Sequence, residues 1–263
     1  MADRYVATSA TPGTDVDGLG GGAVAAGDIS DAGTVGVDLV QSETAADALA
    51  ALGGAAALRA LLFGPYDDDM TGTGWSALAT SGSATFVWSG GKGTGTCPLG
   101  SAASCGVEAS GYLDRGEWYD LAIRVDVVTG DTSSATRLVL TAGQSSAANV
   151  STILWANGTI EWGHYGSGSF TSLGTTAGPD SGQRTGGQLW LRITRTPTGV
   201  AFAWGVGSAS VRPTTWTTVG VSTAAAVLAR AGGTYAQIVV LTTSSVAFVA
   251  DILAITRSLP GGF

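Results

Sequence analysis

A chain of 263 residues is long enough for one large β-sandwich with an extension, or for two small domains, and it can bury a full core. Only 12% of its residues are charged and 41 are glycine, so hydroxyls, backbone and small side chains must cover the surface, unlike the Lys/Glu-rich cover of an ordinary helical enzyme. The formal charge is −8 and the 12 Lys and Arg are scattered singly, which leaves no basic stripe to neutralise a phosphate backbone and argues against nucleic acid or anionic membrane as a partner.

The N-terminal "MADRYVATSA" has neither a basic n-region nor an apolar h-region, and the longest apolar runs, such as 246–255, are about half the roughly 20 residues a membrane span needs. The expectation is a chain with no export signal and no membrane insertion. Residues 1–40 are rich in Gly, Ala, Asp and Thr, and "DGLGGGAVAAG" at 17–27 has neither a helical nor a strand period, so this segment is expected to be an extended arm ordered only by a neighbour. Residues 41–65 read as helix. Thr44 suits an N-cap with Asp47 three positions on, Leu49 and Leu52 share a face, and Gly53-Gly54 supplies a stop. A second piece carries Leu58 and Leu61 and ends at Gly64-Pro65. Both pieces are shorter than the roughly 12 residues an isolated helix needs in water, so both must pack on something. Their Ala and Leu positions suit close packing around a narrow axis, as in a trimer neck.

From residue 66 the pattern becomes strand and turn. Asp67 to Asp69 in "YDDDMTG", like Asp15 and Asp17 in "TDVDG", are calcium ligands by type, but the later positions of an EF-loop are missing, so solvated turn acids are expected and no metal is assigned. "TFVWSG" at 85–90 is a short apolar strand. Cys97 and Cys105 bracket a Gly/Ser-rich loop and leave two states open, a pair of thiols or a bridge restraining only that loop; with one His elsewhere they have no zinc spacing. "EWYDLAIRVDVV" at 117–128 places Tyr119, Leu121, Ile123, Val125 and Val127 on one face and Asp120, Arg124 and Asp126 on the other, the pattern of a half-buried antiparallel strand. After "TRLVLTA", residues 151–166 read as a hairpin turning at Asn157-Gly158, and residues 189–207 as another turning at Pro197 and Gly199. "AQIVVL" at 236–241 and "VAFVADILAITR" at 246–257 close the series, the latter apolar on both faces and so expected to be central. Roughly ten strands with hairpin-length links predict a mainly β, antiparallel sandwich at 66–263.

Catalysis finds no support in the pattern. Glu117 and Glu161 have no carboxylate two or four positions along the same strand face, whereas a glycoside hydrolase needs two carboxyls roughly 5 to 10 Å apart. His164 is the one His and no G-x-S-x-G occurs, so a nucleophile triad is not expected, and neither is a cofactor. Eight Trp in so uncharged a chain point instead to sugar stacking. Trp162, His164 and Tyr165, beside Gly163, Gly166 and Gly168, are the expected ligand-binding cluster. Trp118, Trp155, Trp190 and Trp204 are expected in the sandwich core.

Three segments, "GEWYDLAIRVDV", "LWLRITRTPTGVAFAWGVGS…TTWTTVG" and "VAFVADILAITR", resemble in order the strands of the concanavalin A-like (laminin G-like) jelly-roll sandwich, a likeness spanning about residues 75–257. It implies fold rather than activity. "DISDAGTVGVDLVQSETAADALAALGG" at 28–54 is similar to junctions in bacteriophage tail-fibre and head-fibre proteins. That second resemblance implies a homotrimeric spike on a virion surface. In it, residues 1–40 would dock to other virion proteins, 41–65 would form the neck, and the 66–263 head would bind host-surface polysaccharide. The alternatives are a non-viral lectin-like module and a particle decoration protein that binds no host.

Overall fold

The computed structural model describes residues 66–67, 70–113, 118–129, 135–207 and 212–258. The expected arm at 1–40 and the neck residues Leu49, Leu52, Leu58 and Leu61 lie outside the described residues, as does Glu117.

In chain order the strands are β1 (Tyr66–Asp67), β2 (Ser76–Ala77), β3 (Thr85–Ser89), β4 (Lys92–Cys97), β5 (Ala103–Ala109), β6 (Tyr119–Thr129), β7 (Thr136–Ser145), β8 (Ala148–Trp155), β9 (Thr159–Gly166) and β10 (Ser169–Ala177). A short helix α1 (Ser181–Arg184) leads to β11 (Leu189–Thr196), β12 (Gly199–Val206) and β13 (Thr217–Ser222), and helix α2 (Ala225–Ala231) to β14 (Tyr235–Thr242) and β15 (Phe248–Ser258). They form two antiparallel sheets. One has eight strands, in the order β13-β12-β11-β6-β15-β4-β3 with β1 added beside β15; the other has seven, in the order β10-β9-β8-β7-β14-β5-β2. β15 lies between β6 and β4, the central place its two apolar faces predict.

The core fills from the alternation of each strand. Leu121, Ile123 and Val125 of β6, Leu189, Leu191 and Ile193 of β11, and Leu138 and Leu140 of β7 are all fully buried. Asn157-Gly158 turns the β8–β9 hairpin, with the Asn157 carboxamide oxygen accepting from the Thr159 N–H at 2.9 Å. Gly158 has φ +91, and a Cβ there would also lie 2.2 Å from a guanidinium nitrogen of Arg184, so the turn and the packing of α1 both require glycine. β11 and β12 join through Pro197 and Thr198, and Gly199 N–H donates to Thr196 Oγ1. Helix α2 buries Val227 and Ala231, and Tyr119 Oη donates to the Ala231 carbonyl at 3.1 Å.

The two cysteines do something their sequence spacing does not show. Cys97 ends β4 in one sheet, Cys105 lies within β5 in the other, and both are buried free thiols. Cys97 Sγ donates to the carbonyl oxygen of Val240, the register partner of Cys105, at 3.4 Å, Cys105 Sγ donates to the Thr96 carbonyl at 3.9 Å, and the two thiols are neighbours. That contact with Cys97, together with burial, pushes the Cys105 thiol far above its ordinary range. A bond here would close the loop that the two cysteines bracket in sequence, and its ends would lie in opposite sheets. Oxidation with diamide under mildly destabilising urea is expected to remove two hydrogens by mass and to stabilise the fold by about 2–3 kcal/mol from loop closure. Cys105→Ser would abolish both changes, and an unchanged mass would refute the cross-sheet pairing.

Candidate functional site

The outer face of the eight-stranded sheet concentrates the charged side chains. On the side of these strands away from the sandwich core, β6 places Asp120, Ala122, Arg124 and Asp126, and β11 places Trp190, Arg192 and Thr194; of these Arg124, Asp126 and Arg192 are half-buried and the others buried. Register sets Arg192 beside Ala122 and Trp190 beside Arg124. On the other flank, Asp251 of β15 stands opposite Asp126, and Thr94 of β4 opposite Asp251.

Two clusters result. At one end Asp120, 3% exposed, accepts from Arg192 Nε at 2.9 Å and from Arg192 Nη2, a bidentate pair, and also from Arg212 Nη2. Both guanidiniums lie over the half-buried indole of Trp216, at 4.8 and 5.3 Å from its centroid. At the other end Asp251 takes Lys92 Nζ on one oxygen and Thr94 Oγ1, at 2.7 Å, on the other. Asp126 accepts the Gly186 N–H at 3.0 Å. Directly opposed residues on neighbouring strands have Cβ atoms about 5 Å apart, so Asp126 and Asp251 form a carboxyl pair. Between the clusters, Arg124 donates weakly to the Leu253 carbonyl at 3.4 Å, while its buried Nε has no partner among the described residues. Burial lowers the Arg124 pKa. Asp126 lies six positions along β6 from Asp120, a strip of about 20 Å.

The residues expected from sequence to bind ligand lie on the other sheet, and alternation divides them. Trp162 and His164 face inward from β9. Trp162 packs against the core, and a Cβ on Gly220 of β13 would come within 2.1 Å of its Nε1. His164, 9% exposed, meets Arg230 of α2, whose Nη1 lies 2.7 Å from Nδ1. Burial and, secondarily, the Arg230 charge lower the His164 pKa. An arginine donating into the ring requires the neutral imidazole. Tyr165 faces outward and packs on Phe170, with centroids 5.1 Å apart. The structure thus brings Trp162 and His164 to one face and Tyr165 to the other.

The remaining tryptophans sort differently from expectation. Trp204 packs against the core, as expected. Trp190 is buried, but on the outer face of its sheet. Trp118 is 38% exposed, and Trp155 faces outward, donating to Glu161 beneath the Arg137 guanidinium. Alternation predicts Asp120, Arg124 and Asp126 on one face. Arg212, Trp216 and Asp251 carry no such signal, because they reach the face from other segments.

No protein-family model matches the chain, and no curated protein sequence matches it. Solved structures do share its fold. The exoplasmic/lumenal domain of VIP36 in its Ca2+/Man3GlcNAc-bound form aligns with a TM-score of 0.54 at 9% identity, over 73% of this chain and 86% of that one. Its Ca2+-bound form gives 0.53 at 9%, over 72% and 85%. The GH43 protein BlXynB from Bacillus licheniformis gives 0.50 at 13%, over 74% of this chain and 39% of that one. The fold is the concanavalin A-like jelly-roll sandwich expected from the strand motifs. Identities this low carry fold and nothing finer. Among the described residues no three His, Cys, Asp or Glu side chains gather as a cation cage.

Proposed function

We propose that this chain is a lectin-like carbohydrate-binding sandwich that takes an extended polysaccharide along the outer face of its eight-stranded sheet. The observation carrying this reading is the strip of fixed donors and acceptors that runs about 20 Å along β6 and ends at the half-buried Trp216 indole. A sugar needs both parts: hydroxyls pair with oriented charged groups, while an aromatic face takes the apolar face of the ring. Similar folds support the reading, since the VIP36 domain was solved with mannose-containing ligands.

The proposed role is binding without turnover. Three of the four oxygens in the Asp126–Asp251 pair are already held, by Lys92, Thr94 and the Gly186 N–H. Hydrolysis needs one carboxyl free to give up and recover a proton. The expectation of a particle-borne fibre draws on residues 28–54, outside the described residues, so the proposal stops at polysaccharide binding and assigns no particle, trimer or location.

Affinity electrophoresis of the full chain through gels containing a panel of soluble polysaccharides tests this reading. At least one glycan is expected to retard the protein without releasing reducing ends. Trp216→Ala should weaken that retardation at least tenfold, whereas Tyr165→Ala should matter only if the sugar lies on the seven-stranded sheet. Migration unaffected by every glycan would overturn the proposal.

A further inference from the structure

The geometry points to the Arg192–Arg212–Trp216 end of this face as a subsite for an acidic sugar, a ring bearing a carboxylate, within the polysaccharide reading on which this inference rests. Two guanidiniums share the single carboxylate of Asp120, so this end keeps a net positive charge in a chain of formal charge −8. Lys92, Arg124, Arg192 and Arg212 outnumber Asp120, Asp126 and Asp251 on the described part of the face.

The donors have unequal commitments. Arg192 spends a whole edge of its fork on Asp120, whereas the described contacts of Arg212 with Asp120 use one Nη alone. The Nε and second Nη of Arg212 remain for an incoming acceptor. Arg124 sits opposite Trp190, on the diagonal from Arg192, roughly 7–8 Å away by sheet geometry, and makes no ion pair among the described residues. A planar guanidinium fork matches a carboxylate bidentately. The neighbouring indole already carries both guanidiniums over its ring, and the part of it left exposed is apolar surface beside them for a sugar ring. A uronate residue carries a carboxylate and an apolar ring face on one small body, and this end of the strip offers the complement of both. The net negative charge of the chain does not prevent this, because screening at physiological salt confines it to about 8 Å.

A sulfate ester would present similar anionic chemistry, so the test separates the two. Titration calorimetry of the full chain would compare polygalacturonate, the same polymer after carboxyl reduction, and dextran sulfate. Polygalacturonate is expected to bind at least tenfold more tightly than its reduced form, and more tightly than dextran sulfate. Arg212→Gln is expected to erase the preference and Arg212→Lys to restore part of it, with melting temperatures compared to exclude unfolding. Equal affinity for the native and reduced polymers overturns the acidic subsite while leaving carbohydrate binding standing. Tighter binding of dextran sulfate overturns the carboxylate assignment. Failure to bind any polymer of the wider neutral panel or these three sinks both readings. The polymer comparison needs no variant, so it decides even if substitution at Arg212 disturbs its loop.

Discussion

Asp120→Ala is expected to destabilise the fold by about 3 kcal/mol, measured by urea unfolding. Asp120 is nearly buried and serves two guanidiniums whose side chains are each 21% exposed. Removing one partner of a buried ion pair costs about 3–5 kcal/mol because the other charge is left without compensation. Here two charges are left, but both retain some contact with water, which places the loss at the lower end. Asp120→Asn keeps acceptor capacity on one oxygen and is expected to lose about half as much. Arg212 joins Asp120 across 92 positions and carries the segment leading to Trp216. Asp120→Ala should therefore also mobilise that segment, read as faster proteolysis within residues 212–216. A loss below 1 kcal/mol would show that solvent, rather than Asp120, balances the two arginines.

Trp162→Ala is expected to cost about 3 kcal/mol of stability while leaving polysaccharide affinity unchanged. Its indole is wedged between the sheets, over Gly174 of β10 and Gly220 of β13, and packs against the core. Truncating a buried Trp or Phe typically costs about 3–5 kcal/mol, and Trp162 is only partly buried. The converse substitution, Gly220→Ala, forces a methyl group to within 2.1 Å of Nε1 and is expected to cost about 1–3 kcal/mol through overpacking. The two effects should not add, because once the indole is gone the methyl group has room. Urea unfolding of both singles and the double variant gives the coupling. A fall in affinity at unchanged stability would instead return Trp162 to the binding role its sequence context suggested.

Segments with strict alternation announce themselves. β6, β11 and β15 each combine apolar and polar faces or a double apolar face, and their positions and even the centrality of β15 follow from the pattern. The Asn157-Gly158 turn is equally plain, because positive φ at Gly158 is a local requirement. β4 and β5 are silent by comparison. β4 reads "KGTGTC", and two of its three inward positions are Gly93 and Gly95, whose places in the core are filled by Phe86 and Trp88 of β3 and by Val240 of the opposite sheet. A strand whose core volume is supplied by its neighbours shows no hydrophobic period of its own.

The candidate site divides the same way. Asp120, Arg124 and Asp126 share a face by alternation alone. That Asp251 stands opposite Asp126, that Arg212 reaches Asp120, and that Cys97 and Cys105 come from different sheets depend on strand order and register. Trp162, His164 and Tyr165 are neighbours in sequence, yet the two-residue repeat sends the third away from the others. By itself the sequence determined a low-charge antiparallel sandwich and the faces of its strongest strands, because pleating is a property of a few consecutive residues. Only the tertiary structure decided which side chains meet, because register and strand order are settled by packing two sheets into one core.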